Sequence, residues 1–102
     1  MQISIITAVF NRADTLTQTI QSVQSQTYPD IEHVIQDGGS TDGSLAVIDR
    51  LATGRASIES APDGGIYDAI NKGIARANGD VIGLLHSEDF LASDTTIAAV
   101  AA

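Results

Sequence analysis

Residues 2–30 read QISIITAVFNRADTLTQTIQSVQSQTYPD, and a change of period inside this stretch decides the fold class. Gln2 to Val9 is a short, β-branched apolar run that stops at Asn11-Arg12, the pattern of an interior strand in a parallel sheet. From Ala13 the spacing changes. Ala13, Leu16, Ile20 and Val23 recur every three or four residues and make one apolar helical face over residues 13–26. Asp14 falls in the first turn, where it favours the positive end of the helix. Thr27-Tyr28-Pro29-Asp30 ends the helix, because proline cannot continue it.

The same alternation runs through the rest of the chain. Ile31 to Gln36 is a second strand, and Asp37-Gly38-Gly39-Ser40-Thr41-Asp42-Gly43 is a turn rich in helix-capping residues. Leu45, Ile48, Leu51 and Ala52 mark a second helical face, closed by Gly54. Ala56 to Ser60 is a weak third strand, followed by the loop Ala61-Pro62-Asp63-Gly64-Gly65. Ile66, Ala69, Ile70, Ile74 and Ala77 form a third helical face that Asn78-Gly79 ends. Asp80 to Leu85 is a strong fourth strand, and Ser93-Asp94 caps a last helix through Val100. The order β-α-β-α-β-α-β-α predicts an α/β, Rossmann-like domain: a mostly parallel sheet of about four strands with helices on both faces.

Composition narrows the function. A chain of 102 residues fits one compact domain over residues 1–102 and excludes a multidomain enzyme. Lys+Arg is 5 and Asp+Glu is 13, a net charge of −8, which repels phosphate backbones and anionic lipid. Nucleic acid and polybasic membrane binding are therefore not expected. The absence of cysteine excludes disulfide frameworks and thiolate metal sites and suits a reducing compartment. No apolar run approaches the ~20 residues that span a bilayer. No basic region precedes Ile3 to Phe10, so that run does not read as a secretory signal and the expected location is the cytoplasm.

Right-handed crossovers bring the C-terminal ends of all parallel strands to one rim, where ligands of open α/β sheets bind. Asn11 and Arg12 follow the first strand, Asp37 the second, Asp63 the third, and His86-Ser87-Glu88-Asp89 the fourth. Taken singly, each is an ordinary capping or turn residue. As a set they gather acids and amides at one edge. Glu88-Asp89 is a carboxylate pair that solvent or a cation must screen, and a hard divalent ion such as Mg²⁺ or Mn²⁺ would let an acidic protein hold a diphosphate. The glycine pairs Gly38-Gly39 and Gly64-Gly65 spell neither the dinucleotide fingerprint nor the phosphate loop. His33, in mid-strand, reads as a packing residue, and His86 as the better functional histidine. Lys72 and Arg76 are one turn apart and read equally as a solvated face or a phosphate contact.

Five segments in order resemble the N-terminal part of a family 2, GT-A fold bacterial glycosyltransferase. Ser4 to Asn11 resembles its opening strand, and Ser22-Val23-Gln24-Ser25-Gln26-Thr27-Tyr28 its Ser-Val-x-x-Gln-Thr-Tyr. Val34 to Ser44 resembles its Asp-Asp-Gly-Ser-Thr-Asp-Gly signature, and Pro62 to Ile74 a branch of bacterial polysaccharide glycosyltransferases. Leu84-Leu85-His86-Ser87-Glu88-Asp89 falls where the family carries its form of the DXD motif. The resemblance implies a UDP- or GDP-sugar donor bound through a divalent metal, Mg or Mn, for sugar transfer in polysaccharide or cell-surface glycan synthesis. It implies that Phe10 stacks near the base with Ala8, Val9 and Asn11 lining its pocket, and that Asp37 accepts a hydrogen bond from the base. Asp63 and Lys72 would lie near the nucleotide or its phosphates. Asp89, with Glu88 beside it, would bind the metal.

Four positions depart from the family pattern. Gly38 replaces the second acid of the usual pair, Ala8 the usual proline, and His86 an asparagine, while Ser87-Glu88-Asp89 lacks the first aspartate of DXD. The family's catalytic domain also continues into a segment that carries the general base of inverting transfer. The expectation is a donor-binding half that does not turn over alone and whose exposed sheet edge near the fourth strand favours self-association. A non-catalytic interaction or structural module on the same fold is the alternative. A receiver-like signalling domain fits poorly, because the first strand ends in Phe10-Asn11-Arg12 rather than in acids.

Overall fold

The computed structural model describes residues 1–51, 56–87, 91 and 93–101. Its elements follow the expected order: β1 (Ile3–Val9), α1 (Ala13–Gln24), β2 (Ile31–Asp37), α2 (Ser44–Leu51), β3 (Ala56–Ser60), α3 (Ile66–Arg76), β4 (Val81–Leu84) and α4 (Thr96–Ala101). Ala52 and Gly54, read as the end of α2, lie outside the described residues.

The four strands form one sheet in the order β3-β2-β1-β4, and every pairing is parallel. From β1 to β3 the chain moves steadily to one side, with α1 and α2 crossing on one face. It then returns past β1 to place β4. A right-handed crossover in the reverse direction must lie on the opposite face, and α3 does, packing on β1 and β2. The strand order therefore reverses between β1 and β4, which sets the topological switch point beside the end of β1.

Side-chain alternation then sorts the core. Odd-numbered residues of β1 and β2 face α1, α2 and α4 in two apolar clusters. Ile3, Ile5 and Ile31 pack with Val23 and Ile97, while Val9 and Ile35 pack with Leu16, Ile20 and Ile48. Between the clusters the odd-face row holds a polar pair, Thr7 and His33, whose Oγ1 and Nε2 are 2.8 Å apart. His33 is 2% exposed, and burial pushes its imidazole down to about 4. It is a packing residue, as its mid-strand position suggested.

The opposite face is closer and more polar. A methyl group on Gly73 of α3 would lie 2.6 Å from Cγ2 of Ile6, so the helix sits directly on β1. Gly73→Ala should force β1 and α3 apart and cost about 1–3 kcal/mol, read as a lower urea midpoint with an unchanged slope. One turn on, Arg76 donates to the Ile35 carbonyl at 2.9 Å, Ser57 Oγ at 2.8 Å and Gln36 Oε1 at 3.1 Å. Its guanidinium also lies 3.6 Å from Glu59. Arg76 thus binds α3 to β2 and β3. At the N-terminal rim, Glu32 accepts from Ser4 Oγ at 2.9 Å and from both the backbone and side-chain nitrogens of Asn78. Burial raises the Glu32 carboxyl, but the Asn78 and Ser4 bonds and the charge of Arg76 outweigh it and hold it below its ordinary value.

Candidate functional site

The C-terminal rim is built from the β1 and β2 loops, which are laced together. Asn11 has φ 53°, in the left-handed region that asparagine tolerates better than most side chains. There its N–H donates to Ser40 Oγ at 2.9 Å and its Oδ1 accepts from Thr41 N at 2.8 Å. Ser40 Oγ in turn donates to Asp37 Oδ1 at 2.5 Å. Asp37 Oδ2 accepts from Gly39 N, Ser40 N and Ser60 Oγ at 2.9, 2.9 and 2.8 Å. Asp37 is fully buried, so its carboxylate is the post around which the β2 loop folds.

Asp42 and Ser44 complete the lacing by capping α1 from outside that helix. The first N–H groups of α1 have no side-chain cap of their own. Arg12 N donates to Ser44 Oγ at 2.9 Å, and Ala13 N to Asp42 Oδ2 at 3.1 Å. The Ser44 hydroxyl, with the Ala13 and Ser44 amides, holds the Asp42 carboxyl below its ordinary value against the opposing effect of desolvation. Asp37, Ser40, Asp42 and Ser44 are thus spent on architecture.

A cleft of about 400 Å³ opens beside this scaffold, lined by residues that include Ala8, Val9, Phe10, Arg12, Gly38 and Asp63, and extending to Gly65, Ile66, Ala69 and Ser87. It lies at the end of β1, over the start of α3, where the strand order reverses. Its size falls within the range of small-ligand pockets. Phe10 stands at the rim and is 59% exposed, an aromatic ring that the core does not use. Gly65 precedes α3 with φ 116°, a conformation that favours glycine, and so turns the β3 loop into the cleft. Asp63 Oδ1 accepts from Gly65 N at 3.0 Å, whereas its Oδ2 is buried without a hydrogen-bond partner among the described residues.

The sequence matches glycosyl transferase family 2 over residues 4–102. The chain belongs to that family. It is 46% identical over 97 residues to an uncharacterized glycosyltransferase of Mycobacterium tuberculosis, covering 94% of this chain and 37% of that protein. To the chondroitin synthase of Pasteurella multocida it is 38% identical over 94 residues, 90% of this chain and 10% of that one. The chain thus spans well under half the length of these curated relatives. Among solved structures, S. aureus TarS 1-349 in complex with UDP-GlcNAc superposes with a TM-score of 0.91 at 23% identity, over 99% of this chain and 30% of that one. The mannosyltransferase PcManGT of Pyrobaculum calidifontis, in complex with GDP-Man and Mn²⁺, gives 0.85 at 21% identity over 95% and 30%. The fold is that of the GT-A glycosyltransferases.

Against this family frame the candidate residues separate into three groups. Ala8, Val9, Phe10 and Asp63 line the cleft together. Asn11 and Asp37 form the scaffold behind it. Lys72 lies on the exposed side of the β3 loop, donating to the Pro62 carbonyl at 3.3 Å and pairing with Asp68 at 3.4 Å. Glu88 and Asp89 lie outside the described residues. Among the described residues no three His, Cys, Asp or Glu side chains gather as a metal centre.

Arg12 and Ser87, which the sequence places on this rim, line the cleft, whereas Gly38, Gly65, Ile66 and Ala69 carried no sequence signal as cleft residues. Sequence reading also missed a polar stripe on α1. Thr15 and Thr19 donate to the Ser87 carbonyl at 2.9 and 3.1 Å, and Ser22 Oγ accepts from Leu91 N at 3.0 Å. Gln26 donates to the Ser93 carbonyl at 2.7 Å and accepts from Ile97 N at 2.9 Å. Ser22 and Gln26 belong to the quoted Ser-Val-x-x-Gln-Thr-Tyr, and the spacing of Thr15, Thr19 and Ser22 on an amphipathic helix, continued by Gln26 just beyond it, was the available signal.

Proposed function

We propose that this chain is the donor-binding portion of an inverting glycosyltransferase that uses a UDP- or GDP-sugar in polysaccharide or cell-surface glycan synthesis. The carrying observation is the cleft at the switch point, rimmed by the exposed Phe10 ring and floored by Ala8 and Val9. An aromatic platform over an apolar floor suits a nucleobase. The TarS complex with UDP-GlcNAc and the PcManGT complex with GDP-Man and Mn²⁺ support a nucleotide-sugar, and the chondroitin synthase supports a polysaccharide product. Glu88 and Asp89 offer the oxygen donors that Mg²⁺ or Mn²⁺ prefers. When bound there, such an ion would offset charge on the departing diphosphate.

Titration with UDP and Mn²⁺, followed by amide chemical shifts, should move Phe10, Gly38 and Asp89. No response at any of them would overturn the donor-site reading and favour a non-catalytic module. The 102 residues alone should not transfer labelled sugar from UDP-GlcNAc to an acceptor, and observed transfer would overturn that part.

The same reading includes association through β4. This strand is at one end of the four-stranded sheet, and its Val81, Ile82 and Leu84 are 38%, 42% and 55% exposed. An apolar edge with free backbone groups recruits another strand. Light scattering should show the chain's mass rising with concentration, and a constant monomer mass would refute this.

A further inference from the structure

We propose that Asp63, through Oδ2, is the carboxylate that accepts a hydrogen bond from the bound nucleoside, and that Gly38 is glycine because this carboxylate occupies its side-chain space. The inference rests on the cleft holding a nucleotide. It departs from the expectation that Asp37 reads the base.

The two aspartates differ in what they have left to offer. Both oxygens of Asp37 are engaged by its own loop, and the residue is fully buried. Asp63 lines the cleft, is anchored by Oδ1 to Gly65 N, and holds Oδ2 buried without a partner. An unpartnered buried carboxylate oxygen is expensive, and a ligand donor would satisfy it. A methyl group on Gly38 would lie 2.6 Å from that Oδ2 and 3.1 Å from the Asp63 carboxyl carbon. A side chain at position 38 and the present place of Asp63 therefore exclude each other. The acid missing from the usual Asp-Asp pair is supplied across the cleft by the β3 loop.

Charge indicates what Oδ2 binds. A carboxylate repels phosphate, so the diphosphate does not sit there. Among the described residues, Arg12 is the other charged residue that lines the cleft, and no acid among them joins Asp63 there. The donors a nucleoside offers to such an oxygen are an N–H of the base and an O–H of the ribose.

The test measures binding to the intact 102-residue chain by calorimetry. UDP and GDP are compared first, and the tighter nucleotide and its free nucleoside are then used on wild type, Asp63→Asn, Gly38→Ala and the double variant. Asp63→Asn should retain the wild-type amide spectrum yet lose about tenfold or more in affinity. Gly38→Ala should lose a similar factor by displacing Asp63, and the double variant should be no worse than the weaker single one. The loss should persist with the nucleoside, which has no phosphate to carry a metal. Of the ring N-methyl and 2′-deoxy nucleosides, one should bind wild type about tenfold more weakly and Asp63→Asn no more weakly than its parent does, which identifies the donor group. If wild type binds neither nucleotide, the donor-site reading itself fails and takes this inference with it. If wild type binds and the variants match it, or the loss appears only with nucleotide and Mn²⁺, the assignment of Asp63 alone is overturned.

Discussion

Acidification from pH 6.5 to about 4 should remove roughly 3 kcal/mol of stability through a single side chain, His33. The imidazole is buried between the two apolar clusters, and its one described polar contact is Thr7. It stays neutral in the folded chain until about pH 4, but titrates at its ordinary 6.5 when unfolded. Between those values the unfolded chain binds more protons, so stability falls with pH. Above 6.5 the contribution is fully present, and below about 4 the loss is complete. The carboxyls of Glu32, Asp42 and Asp68 lie below their ordinary values, so what they add is lost only from the usual carboxylate range downward. The upper part of the window therefore reports His33. Urea unfolding at a series of pH values should show the slope in wild type and its absence in His33→Gln. A wild-type stability that is flat from pH 6.5 to 5 would contradict this account. In a domain of ordinary stability, the loss is a sizeable fraction of the whole.

Asp37→Asn should be the most damaging single-atom change at the rim, costing about 3 kcal/mol and nucleotide binding together. The amide can face either of two ways. If its NH₂ takes the Oδ2 position, it confronts the donors of Gly39, Ser40 and Ser60. If it takes the Oδ1 position, it donates to a Ser40 hydroxyl that already accepts from Asn11 N, and the Ser40 proton loses its acceptor. Either way the strap between the β1 and β2 loops loosens, and with it the floor under Phe10. The contrast with Asp63→Asn is the informative comparison. One variant should lower both urea midpoint and affinity, the other affinity alone. An Asp37→Asn protein with wild-type stability would show that the carboxylate is not the post of the loop.

The elements were legible because each depends on local periodicity. The 3–4 spacing of Leu16, Ile20 and Val23, and the apolar runs of β1 and β2, reproduce the observed elements to within a few residues. The order of strands was not legible in this way, since α3 could return its strand to either edge without changing its own pattern. The rim residues were legible as a set, since every βα loop of a parallel sheet ends there. Their division of labour was not. Asn11, Asp37 and Asp63 are similar residues in similar loops. Hydrogen bonds between residues up to thirty positions apart make the first two a scaffold, as in Thr41 to Asn11. Asp63, packed close against Gly38, keeps a buried oxygen without a partner among the described residues. Lys72 and Arg76 divide for a comparable reason: Arg76 faces the sheet and finds acceptors on β2 and β3, whereas Lys72 points along the helix to Pro62 and Asp68.

Helix α1 carries apolar residues into both clusters on one side and the stripe of Thr15, Thr19 and Ser22, which Gln26 continues just past its end, on another. Inserting or deleting one residue within it would turn everything beyond that point by about 100°. Leucine and threonine would then trade surroundings, and no local repair could restore both. Length variation among relatives of this chain should accordingly be tolerated between Gln26 and β2, while the count of residues from Thr15 to Gln26 stays constant.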